Sequence, residues 1–114
     1  MPISHFEQKR VSKILSQYCD ERVPPHVRDK IELRFRFEGN SVILFEHRPS
    51  LTGSGEWVES VVAKFRFFVG RQEWALYWRN RNQLWKRYEL IRPSRLFDDL
   101  LSEVDADPTR IFWG

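Results

Sequence analysis

Apolar and polar side chains alternate with a period of two over much of the chain, from about residue 31 to residue 90. The clearest run is IELRFRFE at 31–38, where four apolar residues alternate with four charged ones. Successive side chains of a β-strand point to opposite faces, so this run predicts a strand with one apolar and one charged face. Later runs predict further strands at about 61–69, 74–80 and 84–90.

Gly39 and Asn40 fit the centre of a two-residue hairpin turn, because glycine readily adopts the positive φ of the first central position. This turn leads into a second strand within SVILFEHRP and pairs Phe37 with Val42. The turn formers of PSLTGSG, at 49–55, predict a loop between the second and third strands.

Two further connections set the register of the later strands. A turn centred on Arg71-Gln72 would pair Phe67 with Leu76. A three-residue turn at 81–83 would keep Tyr88 on the same, core-facing side as Leu76. A slip of one residue would exchange the two faces of the sheet, so the assignment of faces depends on this register.

A helix is predicted at about 4–23. Ser4 and Glu7 have the spacing of a capping box, and Pro24-Pro25 ends the helical pattern. One apolar stripe runs along this helix and consists of Val11, Ile14, Leu15, Tyr18 and Cys19.

A second helix is predicted at about 94–106, with Ser94 as its N-cap and with Asp98 and Asp99 near the positive end of its dipole. The tail at 109–114 is expected to dock onto the body, because its apolar residues are costly to leave in water. The apolar stripe of the second helix consists of Leu96, Phe97, Leu100, Leu101 and Val104.

The predicted fold class is therefore α+β: an N-terminal helix, a five-stranded antiparallel meander and a C-terminal helix. We expect a two-layer sandwich that forms a single domain over residues 1–114. The two amphipathic helices would cover one face of the sheet, and the other face would be open to water or to a partner.

The amino-acid composition indicates the broad class of protein and its cellular compartment. A hydrophobic share of 41% and a charged share of 31% are ordinary for a globular domain, whereas the aromatic share of 15% is high. No apolar run approaches the ~20 residues of a membrane-spanning helix. The N-terminus lacks the layout of a secretory signal, and Cys19 has no second cysteine to pair with. These features predict a cytoplasmic protein.

Charge is unevenly distributed although the net charge is only +3. Residues 60–95 contain nine basic and two acidic residues, an excess of seven positive charges, whereas all five charges at 96–108 are acidic. Such asymmetry favours an oriented encounter with an anionic partner, and it also suits a surface that neutralises itself.

The outward sheet face is the strongest candidate for a functional site. Aromatic rings stack on unpaired bases and arginine forks bind phosphates, so the alternation predicts binding of single-stranded nucleic acid by a non-enzymatic module. Arginine stacked on rings also serves simply to shield a sheet face. The predicted binding residues are Arg34, Arg36, Phe45, Lys64, Arg66, Tyr77, Arg79, Trp85 and Arg87.

The alternative use of this face is protein–protein interaction or homodimerisation. Aromatic residues and arginine are enriched at the cores of protein interfaces. A patch containing Ile43, Phe45, Phe68 and Trp85 would be large for the surface of a monomer.

No pattern predicts a catalytic site, a metal or a cofactor. His5, His26 and His47 do not fall in metal-ligand spacing, and the acidic segment lacks the pattern of a calcium loop. The loop at 49–55 resembles a phosphate loop only superficially, since no Lys-Ser/Thr pair follows it. A hydrolase centred on this loop has no residue in its favour.

Several segments together resemble a family of small bacterial proteins that is catalogued as a domain of unknown function. They are IELRFRFEGNSVILFEHRP, WVESVVAKFRF, WALYW and LLSEVDADP, and the resemblance extends from about Val27 onward. It implies a stand-alone bacterial cytoplasmic domain. It brings no activity, cofactor or catalytic residue.

Overall fold

A computed structural model describes residues 3–50, 52–53 and 55–113. Parts of the predicted loop at 49–55 and the last residue of the predicted tail lie outside these ranges. The first helix, α1, spans His5–Arg22, and the side chain of Ser4 accepts a hydrogen bond from the Glu7 amide, as the capping spacing predicts. A short 3-10 turn at Pro25–Val27 follows, because the two prolines cannot continue an α-helix.

Five strands follow in an antiparallel sheet whose spatial order is the order of the chain. The predicted fold class, an antiparallel meander between two helices, is confirmed. The strands are β1 (Glu32–Glu38), β2 (Ser41–Pro49), β3 (Trp57–Phe68), β4 (Glu73–Arg79) and β5 (Trp85–Arg87).

The first hairpin has the predicted register. Gly39 adopts a φ of +58°, and Phe37 lies opposite Val42. A β-bulge at Val62 then changes the phase of alternation within β3, because one strand gains an extra residue there. Strand β3 begins at Trp57, four residues before its predicted start.

The predicted register between β3 and β4 is wrong by two residues. Phe65 lies opposite Leu76 and Phe67 lies opposite Trp74, so the turn is centred on Gly70-Arg71. This register places the Trp74 ring 4.9 Å from the Phe67 ring and buries Trp74 completely. A shift of two residues leaves every side chain on its predicted face.

The last hairpin has the predicted three-residue turn. The Asn80 amide donates to the Leu84 carbonyl 2.9 Å away, and Gln83 adopts the left-handed conformation that ends such turns. Strand β5 is shorter than predicted and ends at Arg87, although the Tyr88 amide still donates to the Leu76 carbonyl.

The second helix, α2, spans Phe97–Ala106, so the predicted start and N-cap at Ser94 are wrong. The backbone of Ser94 instead pairs with Trp74 of β4, and its hydroxyl donates to Asp99 and accepts from the Leu96 amide. This arrangement turns Leu96 outward, where 58% of it is exposed, and removes it from the predicted stripe. The remaining stripe residues, Phe97, Leu100, Leu101 and Val104, are buried.

The helices pack on one face of the sheet, which we call the inner face, and the opposite face is the outer face. The inner face contributes Leu44, Phe65 and Leu76 to a core that also contains Leu15 of α1 and Phe97 of α2. After α2, Phe112 is 6% exposed and lies 5.1 Å from Tyr88, while the Trp113 indole donates to the Val104 carbonyl.

Glu7 links α1 to the sheet at the core boundary. Its carboxylate accepts hydrogen bonds from Arg10 and from the Trp74 indole. Burial alone would raise the pKa of Glu7, but the hydrogen bonds from Arg10 and Trp74 outweigh it and hold that pKa below its ordinary value.

Candidate functional site: a basic and aromatic sheet face

The nine predicted binding residues share the outer face, because all of them alternate with residues of the inner face. A single row of the sheet, Arg36, Ile43, Lys64, Tyr77 and Arg87, crosses all five strands from β1 to β5. The structure therefore brings the predicted residues together on one surface. It also divides them into two groups with different partners.

The first group, on β1 and β2, is bound to carboxylates. Arg36 donates to Glu38 at 2.5 Å and to Glu59 at 2.7 Å, and Arg34 lies 3.4 Å from Glu32. The hydrogen bonds to Glu38 and Glu59 raise the pKa of Arg36. We call this region the ion-paired half of the outer face; it consists of Glu32, Arg34, Arg36, Glu38, Phe45 and Glu59.

The expectation that Phe45 is displayed for stacking is wrong. Only 6% of Phe45 is exposed, because the Arg36 guanidinium lies over its ring at 4.9 Å from the centroid. Its neighbour Ile43 is 4% exposed. Long charged side chains cover apolar surface with their stems while the charged head stays in water. The ion-paired half is therefore a sealed surface.

The second group lies on β3, β4 and β5 and combines cations with partly exposed rings. Tyr77 has the Lys64 ammonium 6.0 Å and the Arg87 guanidinium 5.8 Å from its centroid. Trp85 has Lys64 at 5.7 Å and Arg79 at 5.6 Å. We call this region the cationic half; it consists of Lys64, Arg66, Phe68, Tyr77, Arg79, Trp85 and Arg87.

The cations of this half lack acidic partners. In the part of the chain that the structure describes, Lys64, Arg66, Arg79 and Arg87 form no ion pair with a carboxylate. Arg79 donates to the backbone carbonyl of Gln83, at 3.2 Å. The positive charge of this half is therefore not neutralised locally.

A cleft of about 380 Å³ is lined by residues of both halves. Arg36 and Glu59 line it from the ion-paired side, and Arg79 and Gln83 line it from the cationic side. A polar ligand bound across the cationic half would reach this cleft at one end.

Sequence reasoning missed two features of this face. Arg71 belongs to it, since its guanidinium lies 4.8 Å from the Phe68 ring, which Arg66 also approaches to 5.0 Å. The wrong turn register concealed Arg71. Pairing of Arg34 and Arg36 with Glu32 and Glu38 was also missed, although residues two apart in a strand share a face.

The acidic segment after β5 has structural partners. Asp105 accepts hydrogen bonds from Tyr18 and Arg22, and Asp107 accepts from the amides of Phe112 and Trp113. Over the described ranges, no three side chains of the metal-binding types converge.

These observations define the class of protein: an α+β sandwich with an uncovered sheet face that is basic and aromatic on one side. The chain belongs to the family described as Domain of unknown function (DUF3024), whose family model matches residues 3–114. The predicted membership of a domain-of-unknown-function family is thereby confirmed. Comparison with curated proteins and with solved structures finds no match. Within the described residues, no helix has both the length and the apolar character needed to cross a membrane.

Proposed function

We propose that this protein is a non-enzymatic binding module that holds single-stranded nucleic acid on the cationic half of its outer face. The observation that carries the proposal is the interleaving of three aromatic rings with four cations that have no carboxylate partner among the described residues. Phosphates require such cations, and unpaired bases require such rings.

The arginine and lysine heads have more to gain from phosphate than from their present positions. An exposed cation–π contact contributes about 0.5–1 kcal/mol. A hydrogen bond to a charged group contributes about 1.5–3 kcal/mol. A phosphate that approaches Lys64 or Arg87 therefore draws the head away from Tyr77, and the freed ring face becomes available to a base.

The geometry favours single strands over duplexes. The rings belong to the surface of a sheet, and a ring on such a surface stacks on a base only when the base is unpaired and turned outward. A duplex would offer its phosphates to the cations and leave Tyr77 and Trp85 unused. Duplex binding should therefore be weaker.

Self-association through the same face has less support. Two of the four apolar residues on which that alternative depends, Ile43 and Phe45, are 4% and 6% exposed. Two copies of the cationic half placed face to face would also repel each other.

A reducing compartment such as the cytoplasm suits this function. Cys19 is the single cysteine of the chain, is buried and has no second cysteine to pair with, and burial raises the pKa of its thiol to about 12.

Fluorescence anisotropy with labelled oligonucleotides tests the proposal. A single strand of about ten nucleotides should bind more tightly than a duplex of the same length, since a single sheet surface covers a few to about sixteen nucleotides. Engagement of four phosphates predicts a slope of about −3 for log K against log salt concentration. Lack of binding to either form at low salt would overturn the proposal, and a stable dimer in light scattering would favour the alternative.

A further inference from the structure

A second concave surface lies on the other side of the sheet, away from the outer face. It is a pocket of about 510 Å³, a volume typical of small-molecule sites. The pocket opens between the C-terminal turn of α1, the start of β1 and the end of α2. Its lining combines an apolar floor with an acidic rim.

The floor of the pocket is apolar. Val23 and Leu33 are each 7% exposed in the folded chain, and Val27 and Ile31 pack against the same core. Trp113 forms an aromatic wall that is held in place by the hydrogen bond from its indole to the Val104 carbonyl. A ligand that fits this pocket must therefore carry an apolar body.

The rim of the pocket is acidic. Three carboxylates, Glu21, Glu46 and Asp105, line it together with one guanidinium, that of Arg22. Arg48 donates to one oxygen of Glu46 from outside the lining, so one negative charge remains in excess even when Arg48 is counted. Both helices also end here, and the C-terminal end of a helix carries partial negative charge.

The pocket already holds one cation of its own. The Arg22 guanidinium lies 4.0 Å above the Trp113 ring and donates to Asp105 at 3.1 Å, and the Tyr18 hydroxyl donates to the same carboxylate oxygen at 2.9 Å. An aromatic face beside a carboxylate is a favourable environment for a cation. Glu46, whose side chain is 16% exposed and accepts a hydrogen bond from Arg48 through one oxygen, is a further carboxylate of the lining.

From this combination we propose that the pocket binds a small organic cation: a primary amine attached to an apolar body, with the ammonium at Glu46 and the body on the floor. The proposal is independent of nucleic-acid binding, because none of the pocket residues belongs to the cationic half. Charge complementarity selects the amine over a neutral or anionic molecule of the same shape.

Three probes of nearly equal size test this charge preference: phenethylamine, 2-phenylethanol and phenylacetate. Each is titrated into ¹⁵N-labelled protein while the indole N–H resonance of Trp113 is followed. The amine should shift this resonance with a dissociation constant at least tenfold lower than that of the alcohol, and the carboxylate should not bind. Equal binding of amine and alcohol, or no response to any probe, would overturn the proposal.

Substitution of the Glu46 carboxylate is the second test of the proposal. Glu46→Gln should weaken phenethylamine binding about tenfold, which is the effect of losing one charge-assisted hydrogen bond of moderate strength. Glu59→Gln removes the same charge from the outer face and should leave amine binding unchanged. If Glu46→Gln remains folded, as judged by its dispersed amide spectrum, and binds the amine as well as the original chain does, the assignment of Glu46 is wrong.

Discussion

The two halves of the outer face contain similar residue types, but their cations have different partners. In the ion-paired half, Arg36 bridges two glutamates and covers Phe45. In the cationic half, Lys64, Arg79 and Arg87 surround Tyr77 and Trp85 without any carboxylate partner in the described chain. The comparison shows that a basic and aromatic composition does not by itself make a binding surface. What distinguishes the halves is whether carboxylates lie within reach of the cations: Glu32, Glu38 and Glu59 reach Arg34 and Arg36.

Charge reversal in the cationic half should have the largest effect. Arg66→Glu combined with Arg87→Glu removes two phosphate partners, each contributing about 1.5–3 kcal/mol, and should weaken oligonucleotide binding by about 100-fold or more. The matched control is Lys9→Glu with Lys13→Glu, which makes the same change in net charge on exposed positions of α1. Fluorescence anisotropy measures both. Equal losses in the two variants would mean that only net charge matters.

Removal of one ring from each half should separate binding from packing. Trp85→Ala should weaken oligonucleotide binding by about 1–3 kcal/mol, since a stacked base loses its partner. Phe45→Leu should instead lower the free energy of unfolding by about 1 kcal/mol, because a buried ring is replaced by a smaller side chain. Its dissociation constant for the oligonucleotide should stay within about twofold of the original. Strong loss of binding in Phe45→Leu would show that the ion-paired half also takes part.

A substitution in the inner layer, away from the outer face, should change stability without changing oligonucleotide binding. Glu7→Gln should lower the free energy of unfolding by about 1 kcal/mol at pH 7 and leave oligonucleotide binding unchanged. The pKa of Glu7 is lowered in the folded chain, so its contribution is present above the ordinary value of 4.5 and is lost as the pH falls below it. Denaturant titrations should therefore show the difference between the two chains shrinking in acid. A difference that grew in acid would contradict the assigned role of Glu7.

Conversion of the ion-paired half toward the cationic type should have the smallest effect. Glu38→Gln with Glu59→Gln frees Arg36, and an exposed ion pair is worth only about 0.2–1 kcal/mol. Oligonucleotide affinity at low salt should rise severalfold at most, and the salt slope should steepen by about 0.7 for one added phosphate contact. Asp20→Asn with Glu21→Gln makes the same change in net charge on α1 and should leave the slope as it was.

Much of the fold is encoded locally and could be predicted from the sequence. The first hairpin follows from strict alternation and from the glycine turn at Gly39. The faces were predicted correctly even where the register was not, since the pairing of β3 with β4 is shifted by two residues and the period of a strand is also two. The local pattern of apolar and polar residues is therefore sufficient to predict the face of the sheet on which Arg66 or Tyr77 lies.

The division of the outer face could not be predicted, because it depends on contacts between distant residues. Arg36 reaches Glu59 across β2, and the bulge at Val62 determines which residues of β3 lie beside it. The start of α2 likewise depends on the pairing of Ser94 with Trp74. Capping rules consider only residues that are near in sequence, so they do not predict this pairing. Burial of Phe45 follows from the same long-range geometry.

The five tryptophans supply the most direct measurement of the central claim. Trp85 lies in the cationic half, and Trp57 lies outside that half, at the start of β3. Trp74 lies in the core, Trp78 lies on the inner side of β4, and Trp113 lines the pocket. The indole N–H resonances should be followed in a ¹H–¹⁵N spectrum while a single-stranded oligonucleotide is added. The account predicts that the Trp85 resonance shifts with saturation and that those of Trp57, Trp74 and Trp113 stay in place. A response at Trp57 or Trp113 with Trp85 unchanged would contradict it.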